Sequence, residues 1–324
     1  QTGPSIGTLA DGGYVVAWNS YLQDGSDWGT YAQRFNASGQ AVGAEFRVNT
    51  LTSAEQSYPQ VAGLSNGGYV IVWQDSGSNE GSGWGWGVFA QRYNADGTAA
   101  GGQFLVNTTT ESTQYHGVVA SYTGGFAVVW SSDSYYVDSH SYQDIYLTRY
   151  DNAGAVVGTA QQRVSTDAAG TGVQIYDQIQ PRVEAYANGD LVMVWQDNGG
   201  NDGSGSGVFG RSYEAATNSF GSIFQVNSYT SGTQSNPDVA LLSDGGFVVV
   251  WQDSNGLDGS GWATYAQRYD SSENPVGSAI LVNDLTYGSQ YQPKVSGLST
   301  GGFVVSFYND NGAAWGDVYL RQFD

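Results

Sequence analysis

Carboxylates recur at fixed distances from tryptophan along this chain. Asp75 and Glu80, Asp197 and Asp202, and Asp253 and Asp258 stand two and seven residues after Trp73, Trp195 and Trp251. Asp133 and Asp138 are offset by one residue from Trp130, a shorter first loop carries Asp24 and Asp27, and the last loop offers Asn309 and Asp310. Gly-Ser follows the second acid in "DGSD" from Asp24, in "EGSG" from Glu80 and in "DGSG" from Asp202 and Asp258. Calcium takes about 6–8 oxygen ligands from carboxylates, backbone carbonyls and water. Two carboxylates on a glycine-rich loop supply part of that set, because glycine lets carbonyls turn inward, and a divalent ion relieves their repulsion. The competing reading is a turn in which each Asp caps its own backbone. The spacing matches neither an EF-hand loop nor the glycine-rich calcium nonapeptide. Calcium in these loops is the expectation.

The same loops carry aromatic rings. Trp28, Trp84, Trp86, Trp262 and Trp315 lie just ahead of the strand that follows each loop, and Tyr142 holds the comparable place in the third. An indole beside carboxylates and amides can stack on a sugar ring while its neighbours bind hydroxyls. Packing against the edge of a sheet is the plainer alternative.

What positions these loops is a repeat. "GGYVVAW" ends at Trp18 and returns as "GGYVIVW" at Trp73, "GGFAVVW" at Trp130, "GDLVMVW" at Trp195, "GGFVVVW" at Trp251 and "GGFVVSF" at Phe307. Successive spacings are 55, 57, 65, 56 and 56 residues, the long one holding "DAAGTGVQIYD" as a loop insertion. The units run approximately 1–55, 56–113, 114–177, 178–233, 234–289 and 290–324. Each has four strand-like pieces, such as "PQVAGL", the Gly-Gly run, "VFAQRY" and "FLVN", joined by turn signatures like "SNGG" and "NADG". No helical period is visible. The Gly-Gly run is apolar on both faces and needs cover on both. Radially stacked four-stranded blades provide it. The expected fold is an all-β, six-bladed β-propeller of four-stranded antiparallel blades in a single domain. Its last outer strand is missing or supplied from elsewhere, since the chain stops at "YLRQFD", so a longer parent protein is expected. Alternating strand direction brings the acidic loops and the "VNT" linkers to one surface.

Composition removes several functions. With 30 acidic against 10 basic residues and a net charge of −20, nucleic acid and anionic membranes are unsuitable partners. There is no cysteine, and His116 and His140 are the only histidines, so thiolate and repeated imidazole chemistry are excluded. No apolar run approaches the roughly 20 residues needed to cross a bilayer as a helix. Arg34, Arg92, Arg149 and Arg268 share one place in the third strand, with Arg211 and Arg321 one residue earlier. Recurring once per unit, they read as inter-blade contacts rather than a catalytic cluster. Catalysis needs one asymmetric constellation, and the distinctive residues here recur, so a non-enzyme is expected.

"DGSGWATYAQRYD", "VGSAILVNDLT" and "SQYQPKVSGLSTGGFVVSF" together resemble a repeat of large secreted bacterial calcium-binding, haemolysin-type or adhesin-like proteins, many with repeats-in-toxin segments. That resemblance spans the chain and implies an extracellular or cell-surface location and a role in adhesion. Its departures are Gly189-Asp190, Phe307 in place of tryptophan and the altered third loop. The leading expectation is a calcium-stabilised, non-catalytic propeller that binds glycans or partner proteins through its Asp/Gly/Trp loops. The alternatives are a structural spacer or assembly module, and a polysaccharide-active enzyme centred on the axial ends of the first strands.

Overall fold

The computed structural model describes residues 1–77, 85–110, 112–137, 140–165, 176–256, 258–310 and 316–324. All the regular structure among them is antiparallel β, arranged as six meander sheets. The first strands are Thr2–Thr8, Gln56–Gly63, Gln114–Tyr122, Gln178–Ala185, Gln234–Leu241 and Ser289–Gly297. Each hydrogen-bonds to a second strand: Tyr14–Tyr21, Tyr69–Asp75, Gly125–Val137, Leu191–Asp197, Phe247–Asp253 and Phe303–Asp310. The third strands follow in order, and outer strands close the first five sheets, the fourth sheet having two short ones at Ser219–Phe220 and Phe224–Gln225. The sixth sheet has three strands. These are the six expected blades.

The chain forms two compact units, Gln1–Ser165 with Ala187–Asp190, and Thr166–Tyr186 with Leu191–Asp324. Sheets one to three belong to the first and sheets four to six to the second. Inside each unit the sheets stack face to face, as the two-faced apolar runs require. Tyr69, Ile71 and Trp73 of the second sheet pack on Val15 and Ala17 of the first. Val70 and Val72, on the opposite face of the same strand, pack on Phe126, Val128 and Trp130 of the third. The second unit repeats this: Val192 and Val194 meet Val249 and Trp251, while Val248 and Val250 meet Phe303, Val305 and Phe307. Trp73, Trp130, Trp195 and Trp251 are no more than 1% exposed. Val318 and Leu320, on the third strand of the sixth sheet, are 75% and 71% exposed.

Each motif has a local reason. The first glycine of the Gly-Gly pair turns the chain with positive φ (Gly67, 87°), a region open to glycine. A Cβ on the second would collide with a third-strand carbonyl, as at Gly68 against Tyr93. The aromatic that follows stacks across the ladder on the tyrosine of "AQRY": Tyr69 on Tyr93 and Phe247 on Tyr269, both at 4.7 Å between centroids.

Candidate functional site

The acidic loops are built as capped turns. Asp75 Oδ1 accepts from Gly77 N at 2.7 Å, Asp197 Oδ1 from Gly199 N at 2.7 Å, and Asp253 Oδ1 from Asn255 N at 2.7 Å. All three carboxyls are buried. Burial pushes the pKa of Asp197 and Asp253 up, against the hydrogen bonds that lower it. The acids that open "DGS" follow another rule. Asp24, Asp202 and Asp258 accept backbone N–H groups two residues on. Their other oxygens take the side-chain amides of Asn49, Asn227 and Asn283, the asparagines of the "VN" motif. Asn227 also accepts from Val208 N at 2.8 Å and donates to Gln234 Oε1 at 3.0 Å. One asparagine thus ties the loop, the start of strand three and the opening glutamine of the next unit. Asp133 lies in a long hairpin opposite Gln143, not in an open loop, and Asp27 is exposed. Glu80 and Asp138 lie outside the described residues, as do Trp84 and Trp315. Among the described residues no three His, Asp or Glu side chains gather to hold a metal ion.

The loop aromatics that are described are half-buried. Trp28 packs 5.1 Å from Tyr21 and Trp262 6.3 Å from Tyr291, centroid to centroid. Backbone carbonyls of Trp86 and Trp262 accept from Gln114 N and Gln290 N, linking each loop to the next sheet. Tyr142 sits opposite Tyr135 in the third sheet's hairpin. The arginines hold sheets and turns: Arg92 donates to Asn152 O at 2.8 Å, Arg321 to Val282 O at 2.6 Å, and Arg34 pairs with Asp11 at 2.7 Å.

A different set stands out on the first strands. Each opens with Gln-x-x-Pro or, in the third sheet, Gln-x-x-Gly. The residue before that Pro or Gly has positive φ in all six: Gly3, Tyr58, His116, Gln180, Asn236 and Gln292, between 51° and 57°. Left-handed backbone at a bulky residue costs about 1–3 kcal/mol and persists only where the surroundings enforce it. At two of the six the glutamine of "WQD" on the preceding sheet enforces it: Gln74 Oε1 accepts from His116 N at 3.2 Å and Gln252 Oε1 from Gln292 N at 2.9 Å. Two residues past this kink, sheets one to three carry Ser5, Gln60 and Val118, whereas sheets four to six carry Arg182, Asp238 and Lys294. Four past it, Gly7, Ala62 and Ala120 are matched by Glu184, Ala240 and Ser296. The second unit alone places four ionisable groups on adjacent first strands.

Their geometry is specific. Asp238 Oδ1 lies 3.4 Å from Arg182 Nε and 3.7 Å from Lys294 Nζ, while Oδ2 accepts from Val295 N at 3.0 Å. The last bond is structural, since Ser5 Oγ accepts from Val61 N in the same way. Glu184 keeps part of its surface open to solvent, yet the protein around it removes enough water to push its pKa up to about 7, and the Asp238 charge pushes the same way. Desolvation also lowers the Lys294 pKa, with Asp238 opposing and Arg182 reinforcing the shift. One carboxyl therefore holds a proton near neutrality, and the other faces two cations. A search for recurring residues passes over this set. Aligning the six first strands on their glutamines would have exposed it.

No protein-family model matches the chain, and comparison with curated proteins finds no match. Solved structures do match. A protein of unknown function from Dyadobacter fermentans is 12% identical with a TM-score of 0.63, over 99% of this chain and 94% of that one. An α-L-arabinofuranosidase of Fusarium graminearum, in complex with an iminosugar inhibitor, is 12% identical with a TM-score of 0.61, over 99% and 92%. An α-L-arabinanase of Penicillium chrysogenum, complexed with arabinobiose, is 15% identical with a TM-score of 0.51, over 80% and 79%. This likeness shows the fold, a β-propeller of antiparallel blades.

The comparisons correct the resemblance to calcium-binding, haemolysin-type repeat proteins, because the neighbours with a named activity are an arabinofuranosidase and an arabinanase. "DGSG", "AQRY" and "VNT" mark capped turns, cross-strand ring pairs and an asparagine clamp, so they report how a blade is built. The calcium-stabilised, non-catalytic adhesion module is corrected as well, together with the expectation of a non-enzyme. Two of the three neighbours are enzymes by name. Recurrence of the loop residues does not exclude a single asymmetric centre, because Arg182, Glu184, Asp238 and Lys294 occur once among the six first strands.

Proposed function

We propose that this chain is a polysaccharide-active enzyme that hydrolyses glycosidic bonds, with Glu184 as proton donor and Asp238 as its charged partner. The observation that carries the reading is the unrepeated pair of carboxyls on neighbouring first strands, set apart by their surroundings. Two acids in contrasting environments are what an acid and its anionic partner require. The fold supports it, since the arabinofuranosidase and arabinanase structures share it. Glycans are the partner this reading supplies, and an extracellular setting suits a polymeric substrate.

Glu184 gives its proton to the glycosidic oxygen as the carbon–oxygen bond breaks and the bonding pair leaves with that oxygen. The sugar carbon becomes positively charged, and the Asp238 carboxylate stabilises that charge. Water adds its oxygen to the carbon and returns a proton to the Glu184 carboxylate. Arg182 and Lys294 orient Asp238.

The test is release of reducing ends from a panel of polysaccharides, arabinan first. The wild-type chain should act on at least one, and Glu184→Gln should lower kcat by about 10²–10⁴-fold, the usual contribution of general acid catalysis. Turnover of none, or full turnover by the variant, would contradict the proposal.

A further inference from the structure

We infer that a cleft between the fifth and sixth sheets binds one uncharged sugar ring of the substrate; the inference rests on the glycan-cleaving reading above. The cleft holds about 290 Å³ and is lined by Asn236, Gln252, Tyr291, Gln292 and Tyr308. Small-molecule sites run to roughly 300–1,000 Å³, so this one has room for a single ring. Its wall combines two tyrosine rings with carboxamides and contains no charged side chain.

Its polar groups divide by whether they are already used. Gln252 is committed on both ends, donating to Ser235 Oγ at 3.1 Å and accepting from Gln292 N at 2.9 Å. Tyr308 Oη accepts from Gly316 N at 2.8 Å. The side-chain amides of Asn236 and Gln292 make no hydrogen bond among the described residues. A carboxamide donates and accepts at once, which is what vicinal sugar hydroxyls need, and a tyrosine face receives the C–H side of the ring. Trp262 packs beside Tyr291, tilted 49° to it at 6.3 Å between centroids.

Asn236 and Gln292 occupy the kinked position, with φ of 51° at each. The kink belongs to every first strand, but its side chain does not: glycine, tyrosine, histidine, glutamine, asparagine and glutamine fill it in turn. The backbone is a constant support and the side chain is the part free to vary, as a specificity element must be. Asn236 stands two residues before Asp238 and Gln292 two before Lys294, at most about 7 Å along the strand. The cleft therefore borders the proposed centre. A net charge of −20 disfavours a polyanionic chain, and the neutral lining favours a neutral one.

Calorimetry on the full chain carrying Glu184→Gln, titrated with arabino-, xylo- and galacto-oligosaccharides and with oligogalacturonate, tests this. A neutral oligosaccharide should bind, oligogalacturonate should not, and adding Asn236→Gly with Gln292→Gly should weaken binding at least 10-fold. Glycine suits positive φ, so Tm should stay within a few degrees, which separates a ligand contact from a packing role. Binding indifferent to the two glycines, or stronger for oligogalacturonate, would overturn the inference. Wild-type turnover of a polysaccharide without neutral binding at this cleft sinks the inference and leaves the function standing. Glycine-sensitive neutral binding without turnover of any polymer does the reverse.

Discussion

Glu184 and Asp238 are both carboxyls, and their neighbours make them different. Glu184 has lost water and meets a like charge, whereas Asp238 has two cations and a backbone N–H. If Glu184 is the acid, kcat/KM should fall as pH rises through about 7, because only the protonated form can donate. Stability carries the same sign. The folded chain binds this proton more tightly than the unfolded chain, where the pKa returns to the ordinary 4.5, so its contribution is most favourable below 4.5 and is lost as pH rises to about 7. Comparing melts from pH 4 to 8 should show a shallower decline in Glu184→Gln than in the wild type; parallel curves would mean that Glu184 is not shifted. At this scale the sequence was legible only in part. The Asp–Trp spacing was plain, but its reason is hydrogen bonding inside the loop. The residues with chemistry were hidden because they break a pattern instead of making one.

The element that matters is the first strand with its kink, and the blade exists to hold it. In the second and fifth sheets the glutamine of "WQD" locks the kink of the next sheet, the tryptophan fills the core and the aspartate caps the turn. The asparagine of "VN" joins loop, strand and following unit. Asn227→Ala strips Val208 N and Asp202 of buried partners, at about 1–3 kcal/mol for a buried group left unpaired. Trp251→Ala removes a ring that is 1% exposed and should cost about 3–5 kcal/mol. Urea denaturation checks both, and a smaller loss for Trp251 than for Asn227 would contradict this order. Strand identity was legible because apolar runs and Gly-Gly turns are local signals. The kink was not, since no residue type marks a left-handed position filled by glycine, tyrosine, histidine, glutamine and asparagine alike.

For the molecule as a whole, six similar sheets supply the scaffold and the departures from similarity supply the function. The period, the two-faced second strands and the shortened sixth sheet were all readable, because a repeated core must reuse the same packing solution. What the period obscured is that one unit differs from the other on its first strands. A matched pair of variants measures whether that difference is the function: Asp238→Asn in the second unit, and Gln60→Ala at the corresponding place in the first. On the polysaccharide that the wild type cleaves best, Asp238→Asn should lose at least 100-fold in kcat/KM and Gln60→Ala should stay within twofold. Equal effects of the two substitutions, or an active Asp238→Asn, would contradict it.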